Sequence, residues 1–191
     1  MRILHLAKYY WPRSGGMARV VQELAEGVAE RGHDVEIVAV ERILGPRGQG
    51  RNTTRVTRAF SFGAVGSQEL APGYLFAAWR KAAIVHLHHP HSLADLAYLL
   101  TPRFAPLVVT HHGDSTRTLN RPLARLVLRR AAAIVVPSEA HVAMCSELEG
   151  LEGKLQVVPF GIDVSRWEMT PYPPPGNPPR SCPSPRRSAT A

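Results

Sequence analysis

Two cysteines, Cys145 and Cys182, are all the thiol chemistry available in 191 residues. That excludes a disulfide framework and fits a reducing compartment, so a cytoplasmic protein is expected. Long apolar runs are also missing: none approaches the ~20 residues a membrane-spanning helix needs. The chain is therefore expected to be soluble or peripheral, and no signal-peptide pattern precedes the strand that starts at residue 3. The G-x-G-x-x-G and G-x-x-x-x-G-K-[ST] fingerprints are absent, which argues against an ordinary NAD site or an ATPase. Acidic residues are sparse, with none between Glu41 and Glu69 and none from Pro171 to Ala191, and the formal net charge is +8. No recognition module or interleaving of basic and aromatic residues accompanies that charge, so nucleic acid is not an expected partner. At this length the chain accommodates one domain plus a little, not two α/β domains.

What is present is concentrated in the first forty residues. Arg2 to Ala7 is a nearly continuous apolar run, suited to a strand covered on both faces. Ser14-Gly15-Gly16 then provides a sharp turn. From Met17, the residues Val21, Leu24, Ala25, Val28 and Ala29 form one helical stripe, while Arg19, Gln22, Glu23, Glu26 and Glu30 are expected to face water. Gly32 is the natural left-handed stop, and Val35 to Val40 resumes a strand pattern. This strand, turn, helix and strand leaves the amides at Gly15 and Gly16 free, under the positive end of a helix dipole. A phosphate or other anion would be stabilised there.

With these residues, "IVHLHHPHSLADLAYLL", "PLVVTHHGD", "AAAIVVPSEA" and "LQVVPFGIDVSRW" complete an ordered set of motifs that resembles the N-terminal domain of GT-B glycosyltransferases of family 4. The resemblance runs from Met1 to about Trp167. It implies an α/β fold, a Rossmann-like doubly wound parallel sheet forming the N-terminal half of a GT-B enzyme. It further implies a retaining transferase that passes an activated sugar, usually from a nucleotide-sugar donor, to a glycan or lipid-linked acceptor. In such enzymes this domain mostly holds the acceptor and a second Rossmann-like domain holds most of the donor, with no cofactor or bound metal. Within the resemblance, His112 of Thr110-His111-His112 matches the family's T-x-H position and is the expected catalytic histidine, beside the reacting hydroxyl. His111, Asp114 and Arg117 are expected acceptor contacts, and Gly15 and Gly16 the phosphate cradle.

Further along, Arg55 to Phe60 reads as a short strand, Tyr74 to Ala83 as a helix, and Ala83 to Leu87 as a strand with His88, His89 and His91 in its exit loop. Ser92 and Asp95 have the spacing of a capping box opening a helix through Leu100. Leu107 to Thr110 is a buried strand. Asn120 with Pro122 starts a helix carrying Arg121, Arg125 and Arg129 in line with Arg117, beside an apolar stripe. That row suits an anionic membrane surface or a phosphate-bearing acceptor, and equally a solvated helix face. Ala133 to Val136 is a strand, Glu139 to Leu148 a helix, and Leu155 to Val158 the last strand. His5 and His86 fall inside strands and read as core histidines; His88, His89, His91, His111 and His112 read as strand-exit residues.

Two patterns point elsewhere. His86-Leu87-His88-His89-Pro90-His91 is one substitution from the H-x-H-x-D-H signature of zinc-dependent metallo-β-lactamase-like hydrolases, with proline in place of the acid. Glu139 and Glu147 reproduce an E-x₇-E spacing that family members carry in their second domain; here it reads as coincidence on a surface helix. After Asp163 no new strand-turn-helix unit follows, and residues 168–191 read as a proline- and arginine-rich disordered tail behind a domain of residues 1–167. Two functions stay open: the acceptor domain of a truncated, frame-shifted or split transferase, or a non-catalytic module that binds a glycan, lipid or partner.

Overall fold

The computed structural model describes residues 1–11, 15–42, 54–66, 68–101, 105–115 and 120–161. Arg117, the segment from Ile162 and the expected tail at 168–191 lie outside the described residues. Strand β1 (Arg2–Leu6), helix α1 (Gly16–Glu30) and strand β2 (Asp34–Arg42) form the opening unit. They are followed by β3 (Arg55–Ser61), a small hairpin of β4 (Ala64–Val65) and β5 (Gln68–Glu69), α2 (Gly73–Ala77), β6 (Ile84–His89) and α3 (Ser92–Leu100). Then come β7 (Leu107–His111), α4 (Arg121–Arg130), β8 (Ala133–Val136), α5 (Glu139–Met144), two 3₁₀ turns (Ser146–Leu148 and Glu152–Lys154) and β9 (Leu155–Val157).

Seven strands form one sheet in the order β3-β2-β1-β6-β7-β8-β9, every pairing parallel. This is the doubly wound α/β fold expected from the alternation of strands and helices. Because side chains alternate along each strand, the sheet has two apolar faces. Leu4, Leu6, Val38, Val40, Val85, Leu87, Val109 and Ile134 belong to the core beneath α2, α3 and α4. Ala7, Tyr10, Val35, Ile37 and Ala39 pack against Val21 and Ala25 of α1 on the other face. The Tyr74 hydroxyl donates to the Ala7 and Val38 carbonyls at 3.1 and 3.3 Å, fastening α2 to β1 and β2.

Several elements depart from the sequence expectations for local reasons. Gln22 and Glu26 do not face water: they are 7% and 2% exposed. Gln22 Nε2 donates to Glu26 Oε1 at 2.9 Å, so a hydrogen-bonded polar pair fills part of the buried side of α1. Helix α2 stops at Ala77 instead of Ala83, because Arg80 turns back to the Ala77 carbonyl and reaches Glu36 at 3.0 Å. Glu36 is buried and shared with Arg2 at 2.7 Å. The helix expected through Leu148 breaks at Cys145, whose backbone is extended, and resumes as the tight Ser146–Leu148 turn. β9 is only three residues long and forms one edge of the sheet.

Strand β6 is the middle strand of the sheet, and Leu87 is fully buried in it. Leu87→Ala, a truncation at a fully buried position of that strand, is expected to cost about 2–5 kcal/mol in equilibrium urea unfolding. Leu126→Ala, on the exposed side of α4 at 44% exposure, should stay within about 0.5 kcal/mol.

Candidate functional site

The site lies at the carboxyl edge of the sheet, where ligands bind in open α/β folds. Gly15 is the N-cap of α1 with φ +150°, a backbone conformation that favours glycine. No side chain caps the helix and its first turn holds no acidic residue. Gly15 and Gly16 are exposed, and a Cβ built on either would meet nothing within 4 Å. The first amides of α1 therefore open onto free space, in an arrangement that attracts an anion. His112 follows β7 at the same edge, two strands from β1, which is roughly 10 Å at ordinary strand spacing. Its backbone amide donates to the His89 carbonyl at 2.9 Å, and its ring lies 5.1 Å from that of Phe160. Phe160 also lines a cavity of about 340 Å³, bounded by Val20 and Leu24 of α1 and by Thr110 and Val135 of the sheet.

Alternation along β6 and β7 sorts the histidines onto opposite faces. His5, His86, His88 and His112 lie on the α1 face with their rings 4.7–5.6 Å apart. His5 Nδ1 meets His88 Nε2 at 3.1 Å, and His88 Nδ1 meets His112 Nε2 at 3.3 Å. His86 is hydrogen bonded to Thr110 at 2.7 Å. Burial and the neighbouring histidines hold His86 and His88 well below the ordinary imidazole range; burial lowers His5 to about 4, and burial plus His111, His89 and His141 lower His112 to about 4. All four are neutral at pH 7. A neutral imidazole has one N–H, so the two bonds of the chain His5–His88–His112 must run in the same direction. His112 then meets the edge of the sheet with Nδ1 only.

The opposite face holds a charged cluster. His89 and His111 stack at 5.2 Å. His89 Nε2 bonds Glu147 Oε2 at 2.9 Å, and His89 Nδ1 lies 3.7 Å from Asp95. Burial alone lowers the His89 pKa, but the nearby Asp95 carboxylate and the bond and charge of Glu147 prevail and raise it to about 9. Burial raises Glu147, yet the nearby His111 ring and the bond and charge of His89 bring it well below the usual carboxylate range. Burial raises Asp95 against the pull of His89.

The expected site residues thus divide. His112 and the Gly15-Gly16 turn are at the open edge. His111 is fully buried among His89, Glu147 and His141. Asp114 accepts from Ser146 N and Oγ at 2.9 Å each, capping the turn that carries Glu147. Arg117 lies outside the described residues. The reading of Glu147 as a surface residue is overturned: it is 1% exposed, because the break at Cys145 turns it inward. Asp95 makes no capping contact; His91 is the N-cap of α3, and Asp95 faces His89 instead. The H-x-H-x-P-H run does not converge either. His86 and His88 point to one face, His89 to the other, and His91 is buried against Tyr74 at 5.0 Å. His88 and His89 are the last residues of β6, not loop residues. Apart from the i, i+4 pair His141 and Cys145, the sequence carried no signal that could have revealed the cluster.

The family model of Glycosyltransferase Family 4 matches residues 14–166. The chain is 27% identical to the O-antigen chain mannosyltransferase C of Escherichia coli over 89% of its own length and 51% of the relative's. It is 28% identical to the GDP-mannose:cellobiosyl-diphosphopolyprenol alpha-mannosyltransferase of Xanthomonas oryzae pv. oryzae, covering 87% of this chain and 48% of that one. The chain thus spans about half the length of the curated relatives it matches. Among solved structures, Anabaena HepE in complex with UDP and glucose aligns with TM-score 0.61 and 19% identity over 90% of this chain and 47% of that one. Sucrose-phosphate synthase from Thermosynechococcus elongatus aligns with TM-score 0.63 and 15% identity over 86% and 49%. These two alignments establish the fold.

Two measurements test the electrostatics. His89 is raised from 6.5 to about 9, a contribution on the order of 3 kcal/mol that is complete below pH 6.5 and lost as pH rises through about 9. The neutral histidines, with depressed values, withdraw stability as pH falls below 6.5. Unfolding midpoints should therefore be highest near pH 6.5 and decline along an alkaline limb from there to about pH 9. Glu147→Gln should remove the alkaline limb and cost about 3–5 kcal/mol at pH 7.5; an unchanged limb would contradict the assignment. By ¹⁵N NMR of the imidazoles at pH 7, His5, His88 and His112 should share one tautomer, and a mixture would break the chain of bonds described above.

Proposed function

The chain belongs to glycosyltransferase family 4, and from that premise we propose that residues 1–167 form the acceptor-side domain of a retaining sugar transferase, with residues 168–191 as a tail outside it. The observation that carries this reading is the pairing, on one edge of the sheet, of an uncapped glycine turn with a neutral histidine. The amides at Gly15 and Gly16 hold an anionic group of the substrates, and His112 takes or gives a hydrogen bond at the reacting hydroxyl. A neutral imidazole suits that task, since it can accept the hydroxyl proton as the sugar transfers. His111 supports His112 from behind, and Asp114 positions the same edge through its cap on Ser146. Arg117 is assigned with them as an acceptor contact.

The donor in this reading is a nucleotide sugar, held mainly by a second domain, and GDP-mannose, the donor for which the Xanthomonas oryzae relative is named, is the first to test. The acceptor is a polyprenyl-diphosphate-linked glycan, which places the reaction at the cytoplasmic side of a membrane. No helix among the described residues is long and apolar enough to cross one. Surface binding is assigned to α4, where Arg121, Arg125 and Arg129 flank the exposed Leu126. Each cation near an anionic surface contributes about 1 kcal/mol.

Three outcomes follow. The 191-residue chain should bind the lipid-linked acceptor but transfer little mannose by itself, and robust turnover by this chain would overturn the half-enzyme reading. When a donor-binding second domain is supplied, His112→Ala should lower transfer by about 10²–10⁴-fold; retained activity would remove His112 from the chemistry. Cosedimentation with vesicles containing phosphatidylglycerol should exceed that with neutral vesicles and fall in the double variant Arg121→Glu, Arg129→Glu.

A further inference from the structure

His111 Nδ1 and His141 Nε2 lie 2.9 Å apart, and the same His141 nitrogen is 3.6 Å from Cys145 Sγ. All three atoms fall within 4.8 Å of one another. They come from two elements that meet at the carboxyl edge of the sheet: the last residue of β7, and the end of α5 with the residue that follows it. We propose that His111, His141 and Cys145 bind a zinc ion.

Distances, donor chemistry and the surrounding groups support the site. Tetrahedral zinc with Zn–N near 2.0–2.1 Å and Zn–S near 2.3 Å spaces two nitrogens about 3.3 Å apart and nitrogen from sulfur about 3.6 Å. The His141–Cys145 separation already matches, the His111–His141 contact needs to open by a few tenths of an ångström, and His111 and Cys145, within 4.8 Å of one another, need to close toward the same 3.6 Å. Two imidazoles and one thiolate are a donor set that suits zinc, a borderline-soft ion. His111 also carries what a metal-bound histidine ordinarily has behind it. Its Nε2 is buried and has no hydrogen-bond partner, while Asp114 Oδ1 and Glu147 Oε2 lie 3.7 and 3.8 Å away. With Nδ1 on the metal, Nε2 would carry the proton and point it at these carboxylates. Burial lowers the His111 pKa, which keeps Nδ1 available as a lone pair.

The other two groupings among the described residues are less suitable. His5 and His88 are buried and spend ring nitrogens on each other, and His86 is bonded to Thr110. His89, His111 and Glu147 already hold a positive charge on His89. At His141 the site reaches the surface, since that ring is only partly buried and Cys145 is 9% exposed. Binding converts the Cys145 thiol to thiolate and releases its proton to solvent, because burial and Asp114 hold the thiol pKa up in the free chain. Three protein ligands leave a fourth place for an external ligand. The ion would join the end of β7 to the end of α5, one strand-end residue away from His112.

The test uses the full chain and cobalt(II) as a spectroscopic probe, with zinc as competitor. One equivalent of cobalt should give a thiolate-to-metal absorption band and strong tetrahedral visible bands, and zinc should displace both stoichiometrically. Cys145→Ser should abolish the thiolate band while Cys182→Ser leaves it. His141→Ala, at a partly exposed position that should not affect folding, should weaken zinc binding by more than the roughly 10–100-fold that loss of an outer-shell partner costs. Absence of a thiolate band, or a band that survives Cys145→Ser, would overturn the proposal and leave the His111–His141 contact as a hydrogen bond only.

Discussion

At the carboxyl ends of β6 and β7 the pleat sends consecutive side chains to opposite sides of the sheet, and the character of the site follows from that constraint. His88 and His112 go to the α1 face, where they join His5 as neutral rings bonded nitrogen to nitrogen. His89 and His111 go to the other face, where Glu147 and Asp95 supply negative charge. At His88 and His89 the two environments shift neighbouring rings in opposite directions: burial without a carboxylate lowers the imidazole pKa of His88, and the carboxylates beside His89 raise its own. The sheet backbone is what keeps the two environments apart, a peptide's thickness from one another.

How far the sequence could be read depended on whether the signal was local. The opening βαβ unit was legible because Val21, Ala25 and the strand residues repeat with the periods of a helix and a buried strand. The order of the later elements was legible for the same reason, and the ordered motifs pointed to the family. The charged cluster was not legible, because its members are 58 residues apart in the case of His89 and Glu147. Asp95 was misread because three-residue spacing from Ser92 fits a cap as well as it fits an inward-facing residue. Glu147 was misread because nothing in Glu139 to Leu148 announces the break at Cys145, where an extended backbone replaces the next helical turn. Gln22 and Glu26 illustrate the converse: polar residues are placed outside by default, yet a side-chain hydrogen bond between them makes burial tolerable.

Two features of the site stand open at the edge of the sheet. The glycine turn presents amides without a cap, and His112 presents one ring nitrogen with the other committed to His88. Neither feature is needed for the stability of the fold, since a helix cap or an apolar residue would serve that purpose better. Both become intelligible if a ligand closes over them. By contrast Asp114, also at this edge, is engaged in holding the Ser146 turn, so the edge combines residues kept available with residues used as scaffold.

The sheet's margins have a consequence for how this domain behaves in company. Along β3 the outer rim carries Arg55 and Arg58, and β9 at the far rim extends for three residues before the chain leaves the ladder. A stray peptide seeking to add itself sideways would meet cations at one border and too few amide and carbonyl groups at the other to hold on. Lateral growth into fibrils is thereby discouraged by the architecture itself.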